Sequence, residues 1–231
     1  MQRTILLTGA SRGIGRSIAK RLLKDGYRLS LGLRDPEVLR GTDLDVEAVA
    51  HHAYDARDSA SAEAWVDATL RQWGGIDTVI HCAGILHRTP LLFADGEEQE
   101  LDDLWAVNVM GPWWLTRSAW PSLVTSGHGR IQVVVSMSGK RVKGRMAGYP
   151  VSKFALMGLC QSMRNEGWDQ GIRVTAICPS WVNTDMARAV TAVEPDAMTQ
   201  PDDLASLSST LLRLPDASVP FELAMNCTLE T

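Results

Sequence analysis

The stretch that most narrows what this chain can fold into lies near its start. Ile5-Leu6-Leu7 is a short apolar run of the kind a buried strand needs, and it leads directly into Thr8-Gly9-Ala10-Ser11-Arg12-Gly13-Ile14-Gly15. Beyond that glycine-rich turn, Gly13 to Gly26 reads as a helix bounded by glycines, with Ile14, Ile18 and Leu22 on one face. The same alternation continues down the chain. Tyr27 to Leu33, Val49 to Tyr54, Ile76 to His81, Ile131 to Ser136, Ile172 to Cys178 and Phe221 to Cys227 read as six further strands. Between them fall helices over Ala60 to Trp73, Leu101 to Ser126 (with a bend expected at Gly111-Pro112), Val151 to Gln170 and Pro201 to Leu214. Strands alternating with helices require a parallel sheet covered on both faces. The predicted fold is therefore α/β: a single Rossmann-like, doubly wound, seven-stranded parallel sheet with helices on both faces, one domain over residues 1–231. No internal repeat or linker interrupts it, and Asp35 to Asp45 and Met186 to Gln200 are expected to be loose loops over a site.

Composition removes several classes of function. With 231 residues, 45% of them hydrophobic, the chain can bury one core but is short for two. A net charge of −4 without a basic run argues against nucleic acid as a partner. No apolar stretch approaches the roughly 18 residues of a membrane span, and the apolar run at the N-terminus is too short for a signal-peptide core. Cys82, Cys160, Cys178 and Cys227 are scattered without metal-ligand spacing, so no metal is expected and buried thiols in a reducing cytoplasm are the natural reading.

The glycine turn also carries chemistry. Glycines let a backbone approach a diphosphate closely, and the helix start behind them supplies N–H groups and partial positive charge. The spacing here is G-xxx-G-x-G rather than the commoner G-x-G-x-x-G. An acid at the end of the second strand would bind a ribose 2′-hydroxyl and repel a 2′-phosphate. This chain has Leu33-Arg34 there, with Arg12 able to reach the same region. Two cations and no carboxylate predict NADP(H) in preference to NAD(H), with Asp35 a possible partner for Arg34.

Tyr149 and Lys153 lie four residues apart in Tyr149-Pro150-Val151-Ser152-Lys153, so on a helix they share a face. A phenol ordinarily titrates near a pKa of about 10, and a nearby ammonium favours the phenolate. Such a pair can exchange a proton with a substrate oxygen at working pH. By itself the spacing also suits an exposed Tyr/Lys pair of no function.

Taken together, Thr8-Gly9…Gly13-Ile14-Gly15, Cys82-Ala83-Gly84, Asn108, Ser136, Tyr149…Lys153 and Pro179…Thr184 occur in the order of the short-chain dehydrogenase/reductase family, which the chain resembles from Ile5 to about Leu214. The resemblance implies catalytic roles for Asn108, Ser136, Tyr149 and Lys153, with Ser136 the substrate-holding serine thirteen residues before Tyr149 and Ser138 its rival at eleven. Lys153 would bind the nicotinamide ribose and lower the pKa of Tyr149, and Asn108 would keep a water in a proton relay from Lys153. Cofactor contacts would come from Gly9, Ser11, Arg12, Gly13, Ile14, Gly15, Arg34, Asp55, Ala83, Gly84, Tyr149, Lys153, Pro179, Val182 and Thr184.

Three places depart from the family pattern. Its Asn-Asn-Ala-Gly reads His81-Cys82-Ala83-Gly84, and His81 is expected to be structural rather than a catalytic base. Its Pro-Gly reads Pro179-Ser180, and no Gly-Gly segment closes the chain. The ending, Leu211-Leu212-Arg213-Leu214-Pro215 followed by a short strand, resembles a subgroup that oxidises small 3-hydroxy acids. The expected activity is thus hydride transfer between nicotinamide and a small carbonyl or secondary alcohol, with Trp181, Met186 and Met146 as walls of the substrate site. A 3-oxoacyl-thioester reductase and a catalytically silent NADP-binding regulator are the alternatives. Helices rich in Trp105, Trp113, Trp114, Trp120, Phe154, Leu156, Met157 and Leu159 imply a homodimer or homotetramer.

Overall fold

A computed structural model describes residues 3–228. Seven parallel strands form one sheet in the order β3-β2-β1-β4-β5-β6-β7. In chain order they are β1 (Thr4–Thr8), β2 (Arg28–Leu33), β3 (Val49–Ala53), β4 (Thr78–His81), β5 (Arg130–Val134), β6 (Arg173–Pro179) and β7 (Glu222–Met225). β1 is buried along its whole length because it is central, pairing with β2 in register Leu7↔Leu31 and with β4 in register Leu7↔Ile80. The chain steps from β1 to β2 in one direction and later from β1's other side through β4 in the opposite one. A cleft opens at that reversal, at the C-terminal ends of the strands.

The helices sort by their apolar faces. α1 (Gly13–Lys24) brings Ile18 and Leu22 against Leu7, Leu29 and Leu31, and α7 (Pro201–Arg213) adds Ala205 and Leu212 to the same core. On the opposite face, α2 (Ser59–Trp73), α4 (Gly111–Ser126) and α5 (Gly148–Gly167) bury Trp65, Leu115, Leu123, Leu156 and Met163 over Leu6, Val79, Ile131 and Val133.

Three boundaries differ from expectation, each for a physical reason. The helix expected from Leu101 to Ser126 with a bend at Gly111-Pro112 is instead α3 (Glu98–Trp105), a π-helical segment over Ala106–Met110, and then α4. Pro112 follows directly on that segment and has no N–H to donate back along the helix, so the irregularity falls before it. Asp35 to Asp45 is not loose, because Leu39 and Leu44 are both fully buried and a 3₁₀ turn forms over Pro36–Leu39. Within Met186 to Gln200 the chain is also tied down. α6 (Asp185–Arg188) precedes a 3₁₀ turn at Pro195–Ala197, Val182 bridges Thr199, and the Gln200 amide donates to the carbonyls of Pro195 and Met198.

Candidate active site

The glycine turn is built to let backbones touch. Gly9 has φ +76°, and a Cβ on it would lie 2.8 Å from the Ala83 nitrogen. A Cβ on Gly15 would fall 2.2 Å from the Gly9 oxygen, so α1 can start this close to the turn only with glycine there. The Thr8 hydroxyl accepts from the backbone N–H groups of Cys82 and Ala83, both at 3.0 Å, and so locks the turn to the segment after β4. No side chain caps α1: Arg12 holds the N-cap position in extended backbone, leaving the helix start without a side-chain acceptor. From the other side Thr184 leans over the turn, its methyl 3.2 Å from where a Cβ on Gly13 would sit. A side-chain-free cradle backed by an uncapped helix start fits a dinucleotide diphosphate.

A cleft of about 540 Å³ runs from this cradle along the strand ends. Gly9, Ser11, Arg12, Gly13, Ile14, Gly15, Arg34, Asp55, Ala83, Gly84, Ser136, Tyr149, Lys153, Pro179, Val182 and Thr184 all line it, as do Trp181, Met186 and Met146. At one end Arg34 is exposed beyond β2. The partnership considered for it with Asp35 does not form: the Asp35 carboxylate accepts from the Glu37 N–H at 3.0 Å and caps the Pro36 turn. Asp55 keeps part of its carboxylate for its own loop, accepting from the Arg57 N–H at 2.9 Å.

At the other end Ser136, Tyr149 and Lys153 converge. Ser136 has φ +142°, the one non-glycine residue with positive φ among those described, and its Oγ accepts from the Ser138 N–H at 3.0 Å. Strain of this kind persists only where neighbours over-determine it. Here Gly139 packs so tightly that a Cβ would meet Val135 Cγ1 at 2.7 Å and the Lys153 carbonyl oxygen at 2.8 Å. Ser138 also lines the cleft, but it spends its N–H on positioning Ser136.

Tyr149 and Lys153 stand on the first turns of α5 and are both buried. Burial pushes the Tyr149 phenol up to about 12, partly offset by its side-chain hydrogen bond with Ser136. Burial also pulls Lys153 down to about 8. Its ammonium donates to the Val134 carbonyl at 3.3 Å and sits 5.6 Å from the centre of the Tyr149 ring. In this arrangement the cation faces the ring and a carbonyl, and desolvation of the phenol dominates.

Asn108 lies in the π-helical segment, fully enclosed. Its amide oxygen accepts from Ile85 N–H at 2.9 Å, while its Nδ2 donates to the Ile85 carbonyl and to Ser152 Oγ, both at 3.0 Å. The residue does not line the cleft itself. It pins the segment after β4 against α5, beside Gly84, where a Cβ would come 3.3 Å from Asn108 Oδ1 and 3.6 Å from Lys153 Nζ. Ser152, which belongs to no motif above, relays this contact by donating to the Tyr149 carbonyl at 2.7 Å. A small hydroxyl beside Lys153 on the buried side of α5 is the signal the sequence carries. Thr8 was legible only as part of the glycine motif.

His81 is inside the sheet, not in the cleft. Its Nε2 pairs with Thr116 Oγ1 at 2.8 Å, and burial pulls its pKa down to about 3, so the ring is neutral. A neutral, solvent-shielded imidazole tying β4 to α4 has a structural job.

Comparison with known proteins agrees with this geometry. The chain matches the short chain dehydrogenase family over residues 3–195. It is 36% identical to an agropine synthesis reductase of Rhizobium rhizogenes over 94% of this chain, and it spans half the length of that protein. An alcohol dehydrogenase from the archaeon Thermococcus sibiricus, solved in complex with 5-hydroxy-NADP, superposes with a TM-score of 0.87 at 29% identity, covering 97% of this chain and 96% of that one. A 3-ketoacyl-(acyl-carrier-protein) reductase from Brucella melitensis in complex with NADH has the same TM-score of 0.87 at 26% identity, with 97% of each chain covered. The seven-stranded parallel sheet, the glycine cradle and the Ser136, Tyr149, Lys153 constellation thus have one common explanation: this chain belongs to the short-chain dehydrogenase family.

Proposed function

We propose that the chain is an NADP(H)-preferring oxidoreductase that interconverts a small ketone and the corresponding secondary alcohol. The observation that carries this reading is the single cleft that has a glycine cradle and two free-standing cations at one end and Ser136, Tyr149 and Lys153 at the other. Gly9, Gly13 and Gly15 would admit the diphosphate, Arg12 and Arg34 the 2′-phosphate, and Pro179, Val182 and Thr184 the nicotinamide end. When bound, the cofactor supplies the hydride.

The protein's part is to hold the substrate oxygen and manage its proton. Ser136 Oγ–H donates to the oxygen and orients it. The Tyr149 phenol, kept protonated by burial, is the acid that neutralises developing alkoxide. Lys153, pulled to about 8, can pass a proton onward near neutral pH, and Asn108 holds the wall beside it. A catalytically silent NADP-binding regulator would need the cradle without this second end.

Assembly belongs to the same reading. Leu156, Met157 and Leu159 are spent on the core, but Trp105, Trp113, Val151 and Phe154 stay exposed along α3, α4 and α5. We assign this strip to a homodimer or homotetramer contact. The four free cysteines are in keeping with a cytoplasmic location.

The decisive experiment is steady-state reduction of a ketone panel with NADPH and with NADH, repeated for Tyr149→Phe. That variant keeps the ring, and NADPH binding should persist while turnover falls by roughly 10²–10⁴-fold. Wild-type turnover by a variant that still binds NADPH would remove Tyr149 from the role of proton donor.

A further inference from the structure

The substrate end of the cleft carries more positive charge than the cofactor accounts for. Arg88 and Arg145 line it there, beside Arg141 and Lys143, which are already engaged, and the carboxylate on that wall, Asp185, is paired with Arg188. The excess is local, since the chain as a whole is acidic at −4. It is also remote from the 2′-phosphate end. Arg34 follows β2, whereas Arg88 follows β4 and Arg145 follows β5, on the other side of β1 in the sheet.

Two segments distant in sequence are joined to make this wall. The Thr89 carbonyl accepts from the N–H groups of Ala147 and Gly148, at 2.8 and 3.2 Å, so Arg88 is held against the loop that carries Arg145 and leads into Tyr149. The acid nearest the joint, Glu100, is already engaged, taking the Thr89 hydroxyl and lying 3.6 Å from His87 Nδ1. Among the described residues neither Arg88 nor Arg145 makes an ion pair or a side-chain hydrogen bond, and both are exposed to the cleft. The N–H of Gly148, which opens α5, and that of Ala147 before it are consumed by the Thr89 carbonyl. Guanidinium groups are then the anion readers available, and their planar forks match carboxylate or phosphate oxygens. Cations gathered in a cleft with apolar walls also focus the field on an approaching anion.

We infer that the substrate of this site bears an anionic group, a carboxylate or a phosphate monoester, which Arg88 and Arg145 hold while its carbonyl meets Ser136 and Tyr149. The inference rests on the reductase reading and narrows it to oxo acids or keto phosphates. Neutral ketones of the same size should be poor substrates.

The test pairs each anion with its neutral counterpart: levulinate against methyl levulinate, and dihydroxyacetone phosphate against dihydroxyacetone, with NADPH. One anion should exceed its partner in kcat/KM by about 10- to 100-fold, the range of a hydrogen bond to a charged group. Which pair shows the gap identifies the anion. Arg88→Gln and Arg145→Gln should each raise KM for that anion about tenfold or more, leave kcat within about threefold, and leave the neutral partner unaffected. Equal kcat/KM within both pairs would overturn the inference while leaving the reductase reading intact. If no ketone turns over although NADPH binds, the reductase reading fails instead. Calorimetric titration of the NADPH-loaded protein with levulinate and dihydroxyacetone phosphate then decides: saturable binding lost in Arg145→Gln sustains the anion site, and absence of binding to wild type overturns it.

Discussion

At the scale of single residues, the site is a place where the fold accepts cost. Lys153 is fully buried, and its pKa falls to about 8 from an ordinary value near 10.4. The unfolded chain therefore binds more protons than the native one between those values, so this group makes stability rise with pH across about 8 to 10.4, and its burial penalty is present in full at pH 7. At about 1.4 kcal/mol per unit the penalty is on the order of 3 kcal/mol. Lys153→Met should remove it, raising the Tm at pH 7 by about 6–12 °C in a chain this size while lowering both turnover and NADPH affinity. A calorimetric scan showing a Tm unchanged or reduced would mean that the lysine is better satisfied than its surroundings suggest. At the opposite end of the cleft, Arg34 is exposed and Asp35 is turned away to cap its own turn. Arg34→Ala should weaken NADPH binding by about 1.5–3 kcal/mol and leave NADH unchanged, as read by fluorescence titration. Equal affinities of the wild type for the two cofactors would refute the charge argument.

Elements place these residues, and they also show what a sequence can and cannot reveal. The strands, their parallel order and the glycine cradle were legible because apolar runs and glycines report backbone needs directly. Tyr149 and Lys153 were legible because helical spacing fixes their shared face. The π-helical segment at Ala106–Met110 was not, since an inserted ladder residue leaves no compositional mark and Gly111-Pro112 offered a more obvious bend. Long-range polar ties such as Thr8 to Ala83, or Ser152 to Asn108, were hidden for the same reason: a hydroxyl's partner is set by tertiary approach. His81 belongs to this class. Its tie to Thr116 joins β4 to α4, and the buried ring can protonate only at about pH 3 in the native state against about 6.5 when unfolded. The unfolded chain binds the extra proton in that window, so this group's contribution to stability is lost as pH falls from about 6.5, by on the order of 3 kcal/mol at pH 4. His81→Gln keeps a side-chain donor without titrating. Its urea-unfolding free energy should decline less than that of the wild type between pH 7 and pH 4. Parallel profiles would show that His81 ionises without unfolding.

For the whole molecule, the unresolved demand is apolar surface. The interior is closed on both faces of the sheet, yet Val151 is 60% exposed, Trp113 and Trp105 are each 48% exposed and Phe154 is 45% exposed, all along α3 to α5. Single exposed apolar residues need no explanation, but several on neighbouring helices outside the core are the kind of surface a partner covers, as proposed above. A two-fold contact would cover it with its own copy, and symmetric pairing is the commonest solution for soluble chains. The same helices reach the site: α5 carries Tyr149 in its first turn, and the segment joining α3 to α4 carries Asn108. Pairing would thus brace the two elements on which the proposed chemistry depends. Light scattering at micromolar concentration should report a dimer or tetramer. Phe154→Glu, which places a charge on the strip without touching the cleft lining, should shift the population toward monomer and lower the Tm. A wild-type monomer under these conditions would show that the strip serves another purpose. An oligomer unaffected by Phe154→Glu would move the contact to a different face.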